Sequence, residues 1–594
     1  MTHLDLRDKF TQFWQARGHK EVPSIPLVPE NDPTTLFTGS GMQQLIPYLM
    51  GQPHPLGGEL YNIQRSFRTQ DIEEVGDNRH TTFFEMIGNW SLGDYFKEKQ
   101  IPWFFEFLTK ELGFDEKRLY VSIFKGSNNI PADEETANLW KKLGILENQI
   151  VYYGADKNWW SRAGTPEQMP EGEIGGPDSE VFYDLGTRHN TKFGKVCHPN
   201  CDCGRFIEIG NSVFIQYKKV DGEIVELPNK NVDFGGGLER ILTVLQGKKS
   251  IFETDVFYPI IQKIEQLADK KYGADENSNR SFRILADHLR AAVFLIADGI
   301  LPSNKEQGYI LRRLIRRAVR FGNNLALKEN SFSKIAAEVA GIFEKPYPHL
   351  KKNENRIIQA LEEEEKKFRR TLKQGVKEFE KIAQKENIIS ANTAFFLYES
   401  YGFPLELTEE LAREKNFKFD KEGILQEKIR HKKASQKGME KKFRGGLADH
   451  SLQTIKYHTA THLLHQALRI VLDNHVEQKG SNITVERLRF DFSHPNKLTS
   501  EEIKKIEIII NQKIEENLSV SFEVTNYKEA VKQGALAFFG QRYPEQVKVY
   551  SIGSFSKEVC GGPHVETTGI LGKFQIIKEE SAGAGIRRVY AILA

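Results

Sequence analysis

The chain has 594 residues, 39% hydrophobic and 28% charged, which suits several soluble domains. Lysine and arginine number 83 against 81 acidic residues, so a nucleic acid would have to be held by local patches and not by an overall field. Four cysteines (Cys197, Cys201, Cys203, Cys560) exclude a disulfide framework. With no secretory signal at the start and no apolar run of membrane-spanning length, the expected location is the cytoplasm, off the membrane.

In chain order, Leu6, Phe10, Phe13 and Trp14 have helical spacing before a glycine stop at Gly18. The prolines of Val22-Pro23-Ser24-Ile25-Pro26-Leu27-Val28-Pro29 impose an extended chain. Asn62-Ile-Gln-Arg-Ser-Phe-Arg68 reads as a strand ending in an arginine. A polar loop from Asp71 to His80 leads to a second strand, Thr82-Phe83-Phe84-Glu85-Met86. This is either a plain hairpin with a surface arginine or a pair that holds a phosphate and stacks a base.

Cys197-His198-Pro-Asn-Cys201-Asp-Cys203 either binds zinc or carries free thiols, the Cys-x-Cys spacing being tight for one tetrahedral ion. In Val232-Asp233-Phe234-Gly235-Gly236-Gly237-Leu238-Glu239-Arg240, glycines let backbone approach a ligand and an arginine enters the first turn of a helix; such runs are also mere turns.

From Phe252 to about Glu440 the pattern is helical. An amphipathic helix over Ala286–Asp298 closes at Gly299, and Gly308–Arg320 follows. There Arg313, Arg316, Arg317 and Arg320 share a face with only Glu306 nearby in sequence. This stripe is expected on an RNA backbone, the alternative being a face paired with carboxylates. Residues 350–390 form a Lys/Glu-rich packing helix, and Lys421 to Arg444 a charged linker.

His458 and His462 are four apart on an apolar-periodic helix, so both rings can face one object. Cys560-Gly-Gly-Pro-His564 adds a thiol and a third imidazole, completing a zinc-type ligand set.

Three strings place the chain beside a known family. Val28-Pro-Glu-Asn-Asp-Pro33 with Leu36-Phe37-Thr38-Gly39-Ser40-Gly41-Met42 resembles motif 1 of the alanyl-tRNA synthetases. Phe84-Glu-Met-Ile-Gly-Asn-Trp-Ser-Leu-Gly-Asp-Tyr-Phe-Lys97 resembles motif 2, and Asp233-Phe-Gly-Gly-Gly-Leu-Glu-Arg240 motif 3. The resemblance runs nearly end to end. It implies an α+β multidomain chain: a class II antiparallel-sheet aminoacylation domain over 1–248, an all-helical tRNA-recognition domain and linker over 249–448, and an α+β, zinc-containing editing domain over 449–594.

The implied activity is ATP-dependent ligation of L-alanine to tRNA(Ala) through alanyl-adenylate, with hydrolysis of mischarged Ser- and Gly-tRNA(Ala). ATP, Mg²⁺ and one Zn²⁺ per chain are implied. By position Arg68 meets the α-phosphate and Arg240 the γ-phosphate, Phe84 stacks adenine, and Glu85, Gly235 and Gly237 complete the nucleotide site. Asp233 pairs with the alanine ammonium, while Met42, Trp160 and Asn211 line its pocket. Asn304 and Glu399 read a G·U pair in the acceptor stem, Glu399 standing where relatives usually have aspartate. His458, His462, Cys560 and His564 hold zinc, with Gln478 in the editing pocket.

Editing has a physical motive. One methyl is worth only about 1–3 kcal/mol of discrimination, so an alanine pocket excludes glycine weakly, and serine little better.

The chain departs from relatives at several points. The loop after Arg68 lacks the usual lysine, Glu173-Ile174-Gly175-Gly176-Pro177-Asp178 lacks thiols, and Pro563 replaces a threonine. Between Pro404 and His458 there is no room for the β-barrel of many relatives. The sequence stops at Ala594, where relatives continue into a dimerising domain, so a monomer is expected. The competing readings are a deacylase with an inactive ligase half and a non-catalytic RNA-binding protein on the same scaffold.

Overall fold

The computed structural model describes residues 1–29, 35–127, 130–383, 388–424, 426, 451–537, 546–583 and 585–593. Residues 30–33 of the first motif, and the linker beyond residue 424 apart from 426, lie outside them. The chain divides into two compact units, Met1–Phe419 and Asp420–Ala594.

The first unit begins with α1 (His3–Gln15), where Thr2 and Asp5 close a reciprocal capping box that satisfies two otherwise orphaned amides. Its apolar stripe of Leu6, Phe10, Phe13 and Trp14 is buried as the spacing predicts. Nine strands make one sheet: β1 (Lys20–Glu21), β2 (Glu59–Phe67), β3 (Phe83–Leu92), β4 (Leu119–Phe124), β5 (Ile150–Tyr153), β6 (Trp159–Ser161), β7 (Ile174–Asp184), β8 (Phe206–Val220) and β9 (Glu223–Gly237). Their order is β1-β2-β3-β9-β8-β7-β4-β5, with β6 on β7. Only β1·β2 and β4·β5 are parallel. The predicted second strand is longer than read, because Ile87 to Leu92 continue the ladder onto β9.

The helices α2 (Leu238–Leu245), α3 (Glu276–Ala297), α4 (Glu306–Asn324), α5 (Glu354–Ala383), α6 (Ala391–Tyr401) and α7 (Leu405–Glu414) belong to the same unit. Gly299, at φ +101°, turns the chain after α3 in a conformation that other residues resist. Strand β10 (Ile388–Ile389) pairs with β11 (Lys418–Phe419). Sheet and helices share one apolar core; Phe83 of β3 stacks on Phe294 of α3 with ring centroids 4.1 Å apart.

In the second unit, α8 (Leu452–Leu472) and α9 (Ser500–Glu515) pack with a sheet of β12 (Gln478–Ile483), β13 (Leu488–Ser493), β17 (Phe574–Gly583) and β18 (Ile586–Leu593), ordered β12-β13-β18-β17. A smaller sheet joins β14 (Val520–Asn526), β15 (Gln546–Ile552) and β16 (Ser556–Val559). Among the described residues no helix is long and apolar enough to cross a membrane.

Candidate functional sites

Alternation along strands decides which side chains meet a ligand, because residues directly opposite in a ladder share a face. Opposite pairs Ser66↔Phe84, Trp90↔Asp233, Gly88↔Gly235, Met86↔Gly237 and Asn211↔Gly235 put Phe84, Asp233, both glycines and Asn211 on one face. Arg68, just past β2, lays its guanidinium 4.9 Å from the centre of the Phe84 ring. Arg240 reaches Glu208 of β8 at 2.7 Å. A side chain at Gly235 would press on Met86 Sδ at 3.0 Å, so bare backbone is what keeps this floor open.

Among the described residues Asp233 is held by one donor, Trp90 Nε1 at 2.6 Å, and burial pushes its carboxyl up to about 7. A buried carboxylate without a cation favours an ammonium ligand. Asn211 donates to Asp178 at 3.2 Å, and its Oδ1 is buried with no hydrogen-bond partner among the described residues. Met42 and Trp160 line one small pocket with Ile46, Leu49 and Ile174. Asp233, Asn211, Met42 and Trp160 therefore lie along one side of the sheet.

Three carboxylates on this face escaped the sequence reading: Asp178, Glu180 and Glu208. Burial raises Asp178 to about 7. Glu180 is raised well above its ordinary value, by burial first and then by Glu208 and Asp178. Single acids in half-buried strands carry no sequence signal; only the register brings them together.

Two expectations fail here. Glu85, expected at the nucleotide, points to the opposite face from Phe84, being its immediate neighbour in a strand. It is fully buried, bonded to Arg7 and to the Tyr347 hydroxyl.

The arginine stripe of α4 is likewise not a free basic surface. Arg316, Arg317 and Arg320 are buried. Arg316 pairs with Glu364, Arg317 and Arg320 with Glu410, and Arg320 also with Glu414. Arg313 pairs with Glu73, and Arg317 donates to the Ile72 carbonyl at 2.7 Å. The carboxylates that neutralise the stripe come from α5, α7 and the loop after Arg68, far away in sequence. Asn304 and Glu399 are both exposed; Asn304 Oδ1 accepts from Arg312.

In the second unit His458, His462, Cys560 and His564 converge, their ligand atoms within 4.8 Å of one another. His458 directs Nδ1 to the Pro563 carbonyl at 3.0 Å and Nε2 to Cys560 Sγ at 3.4 Å. A carbonyl only accepts, so Nδ1 carries the proton and Nε2 offers its lone pair inward. His564 Nδ1 lies 3.2 Å from the Thr459 hydroxyl, and its Nε2 is buried without a hydrogen-bond partner among the described residues. Burial opposes charge on the Cys560 thiol, but the His458, His462 and His564 rings outweigh it and hold the thiol well below its usual value.

Glu558, unnoticed in the sequence, lies 3.7 Å from His462 Nδ1 and 3.1 Å from His465 Nδ1. Its hydrogen bond goes to His465, and toward His462 it presents a negative charge at ion-pair distance. Gln478 is half-buried at the start of β12, opposite Phe492.

The other thiols also form a group, but with a different histidine than expected. His189, Cys197, Cys201 and Cys203 place their ligand atoms within 4.8 Å of one another. His198 turns away and bonds Tyr153 Oη at 2.8 Å.

The model of the "tRNA synthetases class II (A)" family matches residues 5–491, and that of the "Threonyl and Alanyl tRNA synthetase second additional domain" matches 547–590. The alanine–tRNA ligase of Borreliella afzelii is 49% identical over all of both chains. That of Treponema pallidum is 48% identical over 99% of this chain and 97% of its own. The ligase of Thermotoga maritima is 37% identical over all of this chain and 80% of its own. Matched from end to end by such relatives, the chain belongs to the alanyl-tRNA synthetases, a family of class II tRNA synthetases.

Proposed function

We propose that this chain joins alanine to tRNA(Ala) at the expense of ATP and hydrolyses the mischarged products. The observation that carries the ligase reading is the shared sheet face holding Arg68, Phe84, Asp233 and, at its end, Arg240. Alanine's carboxylate is already ionised at neutral pH, so attack on the α-phosphorus needs no general base; it needs positioning and neutralised phosphate charge. Arg68 takes the α-phosphate, Phe84 offers a ring to adenine, and Arg240 leaves Glu208 for the γ-phosphate. Asp233 accepts the alanine ammonium, with Asn211, Met42 and Trp160 around the methyl. The crowded acids Asp178, Glu180 and Glu208 suit a Mg²⁺ ion, which neutralises phosphate charge when bound.

In the second unit His458, His462, Cys560 and His564 fit Zn²⁺ by donor chemistry: a depressed thiol, the inward lone pair of His458 and two further imidazoles beside them. Four protein ligands would fill a tetrahedral ion, so its task is to shape the pocket in which Gln478 meets the ester. Asn304 and Glu399 approach the acceptor stem. We further propose a monomeric, cytoplasmic enzyme, which light scattering and fractionation check.

Alanine-dependent ATP–pyrophosphate exchange tests the ligase. A deacylase with a dead ligase half, or a mere RNA binder, gives none. Release of serine from Ser-tRNA(Ala) tests the second centre.

A further inference from the structure

His189, Cys197, Cys201 and Cys203 sit in the connection between β7 and β8, and nothing above uses them. We propose that these four side chains hold a second, structural zinc ion, which fixes this connection as a brace for the loop behind Arg68.

The separations suit a metal better than the alternatives. Cys197 Sγ and Cys203 Sγ are 3.6 Å apart, and Cys201 Sγ lies 3.9 Å from His189 Nδ1. Zinc–sulfur bonds of about 2.3 Å in a tetrahedron give sulfur–sulfur edges of about 3.8 Å. A disulfide needs about 2.05 Å, far shorter than what is found.

The histidine is set for the role. His189 Nε2 meets the Gly194 carbonyl at 2.9 Å, and since a carbonyl only accepts, the proton is on Nε2. That leaves the lone pair of Nδ1 facing the thiols, the usual arrangement of a ligating imidazole held from outside. Glycines at φ +129° (Gly194) and +78° (Gly204) make the turns that fold the segment so tightly.

What the segment touches gives the site a purpose. Arg79, in the loop behind Arg68, donates to Asp202 at 2.7 Å and to the Cys201 carbonyl at 3.5 Å. Gly204 lies so close to Asn78 that a Cβ there would stand 3.0 Å from its Oδ1. On its other side Asn200 donates to Glu180 at 3.1 Å, within the carboxylate row of the ligand face. A metal would therefore stiffen a platform that supports the Arg68 loop and one acid of that row. The supporting role rests on the ligase reading; the metal does not.

The full chain is assayed for zinc by elemental analysis beside C197S/C203S, with circular dichroism to check folding. We expect the variant to hold one zinc fewer per chain, whatever the second unit holds; equal content overturns the site. Independently, Cys560→Ser protein is loaded with Co²⁺. It should retain thiolate-to-cobalt charge-transfer absorption from the remaining thiols, and its absence also overturns the site. For the brace, Asp202→Asn should raise KM for ATP severalfold while leaving KM for alanine within twofold. Unchanged KM for ATP overturns the brace, whereas absence of exchange from the wild type contradicts the ligase reading instead and leaves the zinc count untouched.

Discussion

Arg317 of α4 donates to the main-chain carbonyl of Ile72, four residues past Arg68, at 2.7 Å. The same guanidinium pairs with Glu410, whose carboxyl is shared with Arg320 and Arg280. A stripe that looks made for RNA thus steadies the loop that follows Arg68.

Removing Glu410 strands buried cations. Glu410→Gln should destabilise the first unit by about 3–5 kcal/mol and lower exchange activity, read by thermal unfolding and the exchange assay. Burial opposes ionisation of Glu410, but Arg317, Arg320 and Arg280 outweigh it and hold its pKa at about 2. Its stabilisation is present above the ordinary value of 4.5 and is lost as pH falls from there toward 2, so the variant's deficit should shrink on acidification.

Asp233 behaves in the opposite sense. Its pKa of about 7 lies above the ordinary 3.8, so the ligand-free fold holds a proton that the unfolded chain has lost. Stability falls as pH rises between those values. Asp233→Asn should therefore raise Tm by several degrees at pH 8, yet abolish alanine-dependent exchange. In the wild type, KM for alanine should climb below pH 7, approaching tenfold per pH unit, as protonation removes the partner of the ammonium.

Arg68→Ala should cost two to three orders of magnitude in exchange, as expected on order-of-magnitude grounds for a donor aimed at developing charge. Phe84→Ala, which removes a stacking surface on the same face, should raise KM for ATP about tenfold with a smaller effect on kcat. Steady-state exchange kinetics separate the two.

Glu558→Gln keeps its shape but loses the charge facing His462 and His465. Zinc affinity of the second unit should drop about 10–100-fold, with slower release of serine from Ser-tRNA(Ala). Competition with a chelator reads the affinity, and exchange serves as the unaffected control.

Much of this was legible in the sequence because the signals are local. The prolines before Val28, the arginine closing a strand, Asp233 ahead of three glycines, and two histidines four apart each carry their meaning within a few residues. What escaped depends on register and on distant chain. Phe84 and Glu85 are adjacent in sequence yet serve opposite faces, which no reading of a string of apolar residues decides without the strand phase. Arg316, Arg317 and Arg320 found their carboxylates on α5 and α7, well downstream. His198 stands among the cysteines in sequence, but the fold brings the more distant His189 to them.

Glu85 also bears on how this protein can be cut. Its charge is answered by Arg7 near the amino terminus and by Tyr347 and Arg290 from the helical part of the same unit. A fragment ended at residue 248 would keep the sheet but surrender two of those three companions, leaving Glu85 beneath β3 with Arg7 alone. Anyone seeking a minimal adenylating piece should therefore carry the chain past Tyr347, or neutralise Glu85 in the shorter one.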